Sequence, residues 1–191
     1  LKRMKRGTHP EKIRSILHRL KDEVPSLTMR TSFIVGYPGE TDEEFEDLYN
    51  FVEEMEFQRV GVFRYSQEEG TPSATLPDQV SEKIKAQRQA RIMELQADIH
   101  RRHNEQLVGQ TIQVLVDGVS EETDLLLQGR SMSQAPEIDG ITYINDGWAN
   151  PGDLVELKIE EVHNYDLVGG IERVIRPAVI APSQPGLEIL G

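Results

Sequence analysis

The stretch RTSFIVGYPGET, at residues 30–41, joins the end of a predicted strand to the start of a predicted helix. Residues 28–35 alternate between an apolar and a mixed face, which favours a strand. Two glycines and a proline follow in a turn, and Thr41 then begins the sequence TDEE, a capping box typical of a helix N-terminus. The stretch therefore predicts a strand, a turn and a helix in succession.

The flanking segments extend this pattern. A first helix is predicted after a capping box at Thr8 and ends before Pro25, and a second strand is predicted over residues 59–65. Helix, strand, helix and strand with short links are typical of a parallel βαβ arrangement. A long helix over residues 81–107 is predicted to close this α/β part. Its apolar stripe consists of Ile84, Ile92, Leu95 and Ile99.

From Gly109 the apolar period changes to two, which is typical of strands. The five strand candidates are residues 111–119, 125–128, 141–145, 154–162 and 167–172. Five short strands of this kind favour a small OB-like barrel. We therefore predict an α/β domain over residues 1–104 that includes the long linking helix, an all-β barrel over residues 105–175 and a loose tail over residues 176–191.

The charge is divided unevenly between the two predicted domains. The 191 residues include 33 acidic and 21 basic side chains, which gives a net charge of −12. Residues 1–104 carry a net charge of −1, whereas residues 105–191 carry −11. Because an acidic surface repels phosphate, the composition argues against non-specific binding of nucleic acid by the whole chain.

The absence of cysteine excludes several kinds of site. Disulfides, thiolate zinc sites, cysteine nucleophiles and iron–sulfur clusters ligated by this chain all require cysteine. No run of about 18 apolar residues predicts a membrane span, and the first residues lack the apolar core of a secretory signal. We expect a cytoplasmic protein with no membrane partner. Since residue 1 is leucine, we also expect a fragment that begins within a longer protein.

Gly36 lies where a parallel strand ends and a helix begins, a place where α/β proteins bind ligands. The alternative is a glycine turn that only links the two elements. Arg30 and Ser32 favour the functional interpretation, because an inward-facing guanidinium without a partner is costly to bury. His100 and His103 have helical metal spacing, but the two arginines between them favour a solvated helix face.

Four stretches of the sequence carry a family resemblance. RTSFIVGYPGET and VFRYSQEEGT, at residues 62–71, closely resemble the latter part of the radical S-adenosylmethionine (SAM) domain of methylthiotransferases. LPDQV at residues 76–80 and GRSMSQAPEIDG at residues 129–140 resemble the group that methylthiolates an aspartate of ribosomal protein uS12. The resemblance covers about residues 1–175 and implies the end of a (β/α) partial barrel followed by a TRAM domain, an OB-like β-barrel.

The resemblance also implies which parts of the enzyme the chain does not supply. Members of the family hold two [4Fe-4S] clusters on six cysteines, none of which is present here. The implied reaction begins with a 5′-deoxyadenosyl radical that abstracts a β-hydrogen from aspartate. Sulfur transfer and methylation by a second SAM follow. We therefore expect a transferase fragment that is inactive alone, with no catalytic residue and no metal ligand of its own.

The resemblance also implies a SAM pocket formed in part by the two predicted strands. Its candidate residues are Arg30, Ser32, Ile34, Gly36, Phe63 and Tyr65. Ser32 is expected to face the ribose or methionine part of SAM, and Ile34 to pack on the adenine. Gly36 is expected to let the backbone approach the ligand closely. For Phe63, burial in the barrel core is an equal alternative.

For the substrate, the resemblance points to the acidic barrel and a basic protein partner. We place Arg130, Glu137 and Asp139 in a loop that contacts uS12, whose basic character complements the acids. RNA binding is disfavoured by the charge. The alternatives are a tRNA methylthiotransferase of the same superfamily, an OB module without catalysis, and acids that only keep the surface solvated.

Overall fold

The structure, a computed structural model, describes residues 7 and 9–178. It contains two compact units, the first ending at His103 and the second beginning at Asn104. No helix in the described part of the chain is both long and apolar enough to cross a membrane.

The N-terminal unit is an α/β arrangement. Its elements are α1 (Pro10–Glu23), β1 (Arg30–Val35), α2 (Asp42–Met55), β2 (Arg59–Arg64), a short 3-10 turn (Pro72–Thr75) and α3 (Glu82–Glu105). The two strands pair in parallel, in a register that runs from Arg30 opposite Arg59 to Val35 opposite Arg64. The predicted parallel βαβ arrangement is confirmed.

The capping box before α2 is also confirmed. The Thr41 hydroxyl accepts a hydrogen bond from the Glu44 backbone N–H at 3.1 Å, and the Glu44 carboxylate accepts one from the Thr41 N–H at 3.0 Å. The capping box predicted for α1 involves Thr8, which lies outside the described residues. His9 is the N-cap of that helix and makes no side-chain capping bond.

The helices pack against one face of the two-stranded sheet. Val35 and Val62 from this face are buried with Phe45 and Val52 of α2 and with Ile92 of α3. A neighbouring cluster of Met29, Met55 and Phe57 adds to the same side. Burial of each such side chain contributes about 1.5–3 kcal/mol, so this side holds most of the apolar stabilisation of the unit.

The buried face of α3 differs from its predicted apolar stripe. Ile92, Leu95 and Ile99 are buried as expected, but Ile84 is exposed while Lys85 is buried. The other buried polar side chains of this helix are Arg88, Gln96, His100 and Asn104. Lys85 and Gln96 are buried because they donate to backbone carbonyls in and around β2, which require hydrogen-bond donors when they are buried. Arg88 instead pairs with Glu40 and Asp42, and His100 bonds to Arg59.

The bonds from α3 to this backbone follow a regular order. Gln96 Nε2 donates to the carbonyl of Phe57 at 3.0 Å, and Gln89 Nε2 donates to that of Val62 at 2.7 Å. Lys85 Nζ donates to the carbonyl of Tyr65 at 2.9 Å. The helix therefore covers β2 with polar side chains as well as with apolar contacts.

The C-terminal unit is a closed five-stranded barrel, which confirms the predicted OB-like architecture. Its strands are β3 (Thr111–Val119), β4 (Leu127–Ser131), β5 (Thr142–Asp146), β6 (Leu154–His163) and β7 (Asp166–Arg176). Their order is β3-β4-β5-β7-β6, and β6 pairs back to β3. Within the barrel, β5 and β7 pair in parallel, and the other described strand pairs are antiparallel.

Inward-facing side chains fill the barrel. Its fully buried members include Val114, Val155, Leu157 and Ile159. The largest boundary difference from the prediction concerns β7, which ends at Arg176 rather than at residue 172. The strand β4 begins two residues later than predicted, at Leu127, and Leu125 lies exposed in the preceding turn. The predicted tail begins inside β7 at Arg176, and its residues 179–191 lie outside the described part.

Candidate functional site

The exposed face of the two-stranded sheet holds most of the predicted cofactor residues. Ser32 is opposite Gly61 and Ile34 is opposite Phe63, so these four residues share one face. Ile34 is 45% exposed and Phe63 is 58% exposed. A Cβ atom on Gly61 would lie 3.3 Å from Ser32 Oγ and 3.4 Å from Phe63 Cε2. The face therefore combines apolar surface, the Ser32 hydroxyl and, at Gly61, a position without a side chain between Ser32 and Phe63.

One expectation about this face is wrong, and one alternative is excluded. Arg30 is exposed rather than buried inward, so the cost of burying its guanidinium gives no reason for a functional role. Phe63 does not belong to the core, because more than half of its surface is exposed. The physical reason is the same for both residues: the helices pack against the opposite face of the sheet.

The glycine turn after β1 has a packing role that the sequence analysis missed. Gly36 has a φ of +75°, and a Cβ atom there would collide with the methylene groups of Lys85. Its N–H donates to Glu40 Oε1 at 2.9 Å, and Arg88 donates to the same oxygen at 2.6 Å. The space above Gly36 is thus filled by Lys85, whereas the expected approach of a ligand to its backbone stays a prediction.

Tyr65 follows the end of β2, and its ring is buried. It lies edge-on to Tyr37 at a centroid distance of 5.3 Å, and Lys85 Nζ lies 5.2 Å from its ring centroid. Its hydroxyl is buried without a hydrogen-bond partner among residues 7 and 9–178. Tyr65 is therefore held in place, with one polar atom unused.

An open groove of about 560 Å³ adjoins the carboxyl end of β2, and its lining includes Phe63, Tyr65, Lys85 and Gln89. The Lys85 ammonium bonds to Glu82 at 2.7 Å, and this bond lowers the pKa of the Glu82 carboxyl below its ordinary value. Sequence reasoning missed Lys85 and Gln89. No signal singled them out, because most residues of α3 are polar and positions 85 and 89 do not differ from their neighbours in type.

In the C-terminal unit, the predicted substrate residues lie in or next to the β4–β5 loop. Arg130 forms an ion pair with Asp117 of the adjacent strand. Asp139 Oδ2 accepts a hydrogen bond from the Ala135 N–H at 2.7 Å, so part of its carboxylate holds the loop together. Glu137 is exposed and has a φ of +63°, in the left-handed region. Of the three, Glu137 has the environment of a surface contact.

The same loop presents two apolar side chains that sequence reasoning missed. Met132 is 90% exposed and Ile138 is 74% exposed. No sequence pattern indicated them, because an apolar residue in a loop is equally compatible with burial in the core and with exposure to solvent. Their exposure follows from the hydrogen bonds that fix the loop backbone around Gln134.

Acidic side chains dominate the described surface of the barrel. The exposed acids include Glu121, Glu122, Asp124, Glu137, Glu160, Glu161 and Glu172. Two of the three bases between residues 105 and 175 are already paired, Arg130 with Asp117 and Arg173 with Glu156. Ion pairing leaves the net charge unchanged, so the 14 acids and three bases between residues 105 and 175 still give a net charge of −11.

Asp153 is a buried acid with a structural role. Its carboxylate accepts hydrogen bonds from the backbone N–H of Ala178 at 2.6 Å and of Asn150 at 2.8 Å. These bonds, that from Ala178 first, lower the pKa of Asp153 below its ordinary value.

Comparison with known proteins agrees with this architecture. Residues 108–171 match the family model of the TRAM domain. A relative from Pelobacter propionicus, named ribosomal protein uS12 methylthiotransferase RimO, is 52% identical over 172 residues, which cover 90% of this chain and 38% of the relative. The protein of the same name from Trichlorobacter lovleyi is 54% identical over 168 residues, covering 88% of this chain and 37% of the relative.

A third relative of that name, from Anaeromyxobacter sp. strain Fw109-5, is 49% identical over 201 residues and covers 100% of this chain and 43% of its own length. The chain spans about two fifths of the length of these curated relatives. Over the portion that they share, the sequence is thus a relative of the RimO methylthiotransferases, and residues 108–171 form a TRAM domain.

Proposed function

We propose that the chain is part of a radical SAM methylthiotransferase that modifies an aspartate of ribosomal protein uS12. The observation that carries this proposal is the identity of about half of all residues, over nearly the whole chain, with proteins named for that activity. In this proposal the N-terminal unit supplies one wall of the SAM pocket, and the TRAM domain binds the protein substrate.

The exposed face of the two-stranded sheet fits an adenosyl group. Ile34 and Phe63 offer apolar surface on which a flat base can pack, and Gly61 leaves room between Ser32 and Phe63. The Ser32 hydroxyl can bond to a ribose oxygen, and Arg30 carries a positive charge for a carboxylate. Bound SAM would supply the radical that removes a hydrogen from the substrate carbon. The residues of this chain bind and orient it.

The chain does not fit an iron–sulfur cluster. It contains no cysteine, and its described residues include no group of three histidines or acids that could hold a metal ion. The two [4Fe-4S] clusters of the family therefore have no ligand here, and the proposal assigns binding surfaces alone to this chain.

The charge of the TRAM domain supports a basic protein as its partner. Residues 105–175 contain 14 acids and three bases, so counterion release from phosphates cannot drive RNA binding to this unit. A basic ribosomal protein is instead attracted, and its encounter is faster at low salt. A tRNA substrate, the alternative within the superfamily, would meet a surface of the wrong sign.

A binding titration tests the proposal. The 191-residue chain is titrated with uS12 and, separately, with a tRNA, between about 50 and 200 mM salt. We expect affinity for uS12 that falls as salt rises, together with negligible affinity for tRNA. Tight tRNA binding, or no uS12 binding at the lowest salt, would contradict the proposed role of the TRAM domain.

A further inference from the structure

We propose that Met132 and Ile138 are the apolar anchors through which the TRAM domain binds a basic protein segment that itself carries apolar side chains. This inference rests on the proposed function and adds to it the residues that make the contact. Both side chains lie in the β4–β5 loop, and 90% of Met132 and 74% of Ile138 are exposed.

The loop is fastened from the inside by Gln134. This side chain is buried, and its Oε1 accepts hydrogen bonds from the Ser131 N–H and the Thr142 hydroxyl, both at 2.8 Å. Its Nε2 donates to the Gly140 carbonyl at 2.6 Å. One amide group therefore joins both ends of the loop, with Met132 and Ile138 between the joined residues.

A second set of bonds fixes the far half of the loop. The Ile141 N–H donates to Asp166 Oδ1 at 2.7 Å, and the Ala135 N–H donates to Asp139 Oδ2 at 2.7 Å. Gly140 packs so closely on the β6–β7 turn that a Cβ atom there would collide with the Tyr165 carbonyl. The loop backbone is therefore ordered before any partner arrives.

This order makes the exposure of the two side chains meaningful. A single exposed apolar residue on a protein surface needs no explanation, but here one ordered loop presents two of them, Met132 and Ile138, to solvent. Glu137, next to Ile138, also has a φ of +63°, a conformation that non-glycine residues rarely adopt. A loop that is already ordered loses little backbone entropy on binding.

The charge around the loop selects the partner. Glu137 is exposed beside Ile138, whereas the nearby guanidinium of Arg130 is paired with Asp117. Apolar anchors within a charged rim are the usual arrangement of a protein–protein contact, in which the anchors carry the affinity and the rim steers the encounter. Nucleic acid fits neither part, because its phosphates are repelled by the acids.

The experiment compares two variants of the 191-residue chain. The first carries Met132→Ser together with Ile138→Ser, and the control carries Leu125→Ser. Leu125 is also 90% exposed, but it lies in the β3–β4 turn, at the opposite end of β4. Binding to uS12 is measured across the salt series, and thermal unfolding checks that both variants fold.

We expect the double variant to weaken uS12 binding about tenfold or more, with the salt dependence unchanged, since a few apolar anchors carry most of the affinity of such a contact. Leu125→Ser should leave the affinity within about twofold. An unchanged affinity in the double variant, or an equal loss in the control, would overturn the inference while the proposed function stands. If the unaltered chain binds no uS12, or binds tRNA instead, both are overturned.

Discussion

The two units differ in how their strands are paired and in how much of each sheet is covered. In the C-terminal barrel each strand has two paired neighbours, and the apolar side chains point inward into one core. In the N-terminal unit two strands pair only with each other among the described residues, and one face of their sheet is exposed. The closed barrel leaves its loops for recognition, whereas the open sheet leaves a whole face. Most of the predicted SAM residues lie on that face, and the predicted substrate residues lie in or next to a loop.

The largest expected effect is the complete absence of a reaction. We expect no 5′-deoxyadenosine when the chain is incubated with SAM, reductant, iron and sulfide, because neither unit has a thiolate to hold a cluster. Chromatography of the reaction mixture measures the product against a sample without protein. 5′-Deoxyadenosine above that background would contradict the prediction and would mean that one of the two units contains a reactive centre.

The next effect compares core and face directly. Leu157→Ala in the barrel removes a fully buried side chain, and we expect it to lower the free energy of unfolding by about 2–5 kcal/mol. Ile34→Ala on the open sheet face is the matched change and should alter the free energy by less than about 1 kcal/mol, because 45% of that side chain is already in water. Urea unfolding followed by circular dichroism measures both. Equal losses would contradict the distinction between a closed and an open unit.

A smaller effect tests the polar support of the open unit. Lys85→Met should lower its free energy of unfolding by about 1–3 kcal/mol, because the Tyr65 carbonyl loses a buried donor. Lys83→Met provides the control, since this lysine is exposed two residues earlier on the same helix. Limited proteolysis and urea unfolding measure the change. If both variants behave alike, α3 contributes only apolar contacts.

Acid should loosen the barrel through Asp153. Its folded pKa lies below the ordinary value, so the carboxylate stabilises the fold above its ordinary pKa, and this stabilisation is lost as pH falls through the lowered value. Asp153→Asn should therefore lower the melting temperature at pH 7. The difference in melting temperature between wild type and variant should be smaller at about pH 3 than at pH 7. The control is Asp124→Asn on the exposed turn. A variant whose deficit grows on acidification would contradict this sign.

The smallest effect concerns the rim of the β4–β5 loop. Glu137→Lys should lower the rate constant of uS12 association by roughly a few fold and make that rate less dependent on salt. The reason is that a rim charge acts on the association rate more than on the dissociation rate. Glu121→Lys changes the net charge equally, but in the β3–β4 turn. Stopped-flow measurements at two salt concentrations separate local from global charge. Identical rates for the two variants would mean that only the net charge matters.

The sequence predicted the elements well wherever the pattern was local. Alternation gave β3 with both ends correct, and the capping box at Thr41 placed the start of α2. It could not predict Lys85 as a buried residue, because that burial depends on the Tyr65 carbonyl and on the absent side chain of Gly36, each distant in the chain. The exposure of Met132 and Ile138 escaped for a similar reason, since it follows from the bonds of Gln134 across the loop.

The bonds from α3 also determine where the N-terminal sheet can grow. A strand edge recruits another strand through its unpaired carbonyl and N–H groups. The carbonyl of Val62 already accepts a hydrogen bond from Gln89, so an incoming strand would have to displace this contact with α3 to pair beside β2. A further strand would therefore pair with the outer edge of β1. In the described part of the unit, the outer edge of β2 is covered by α3.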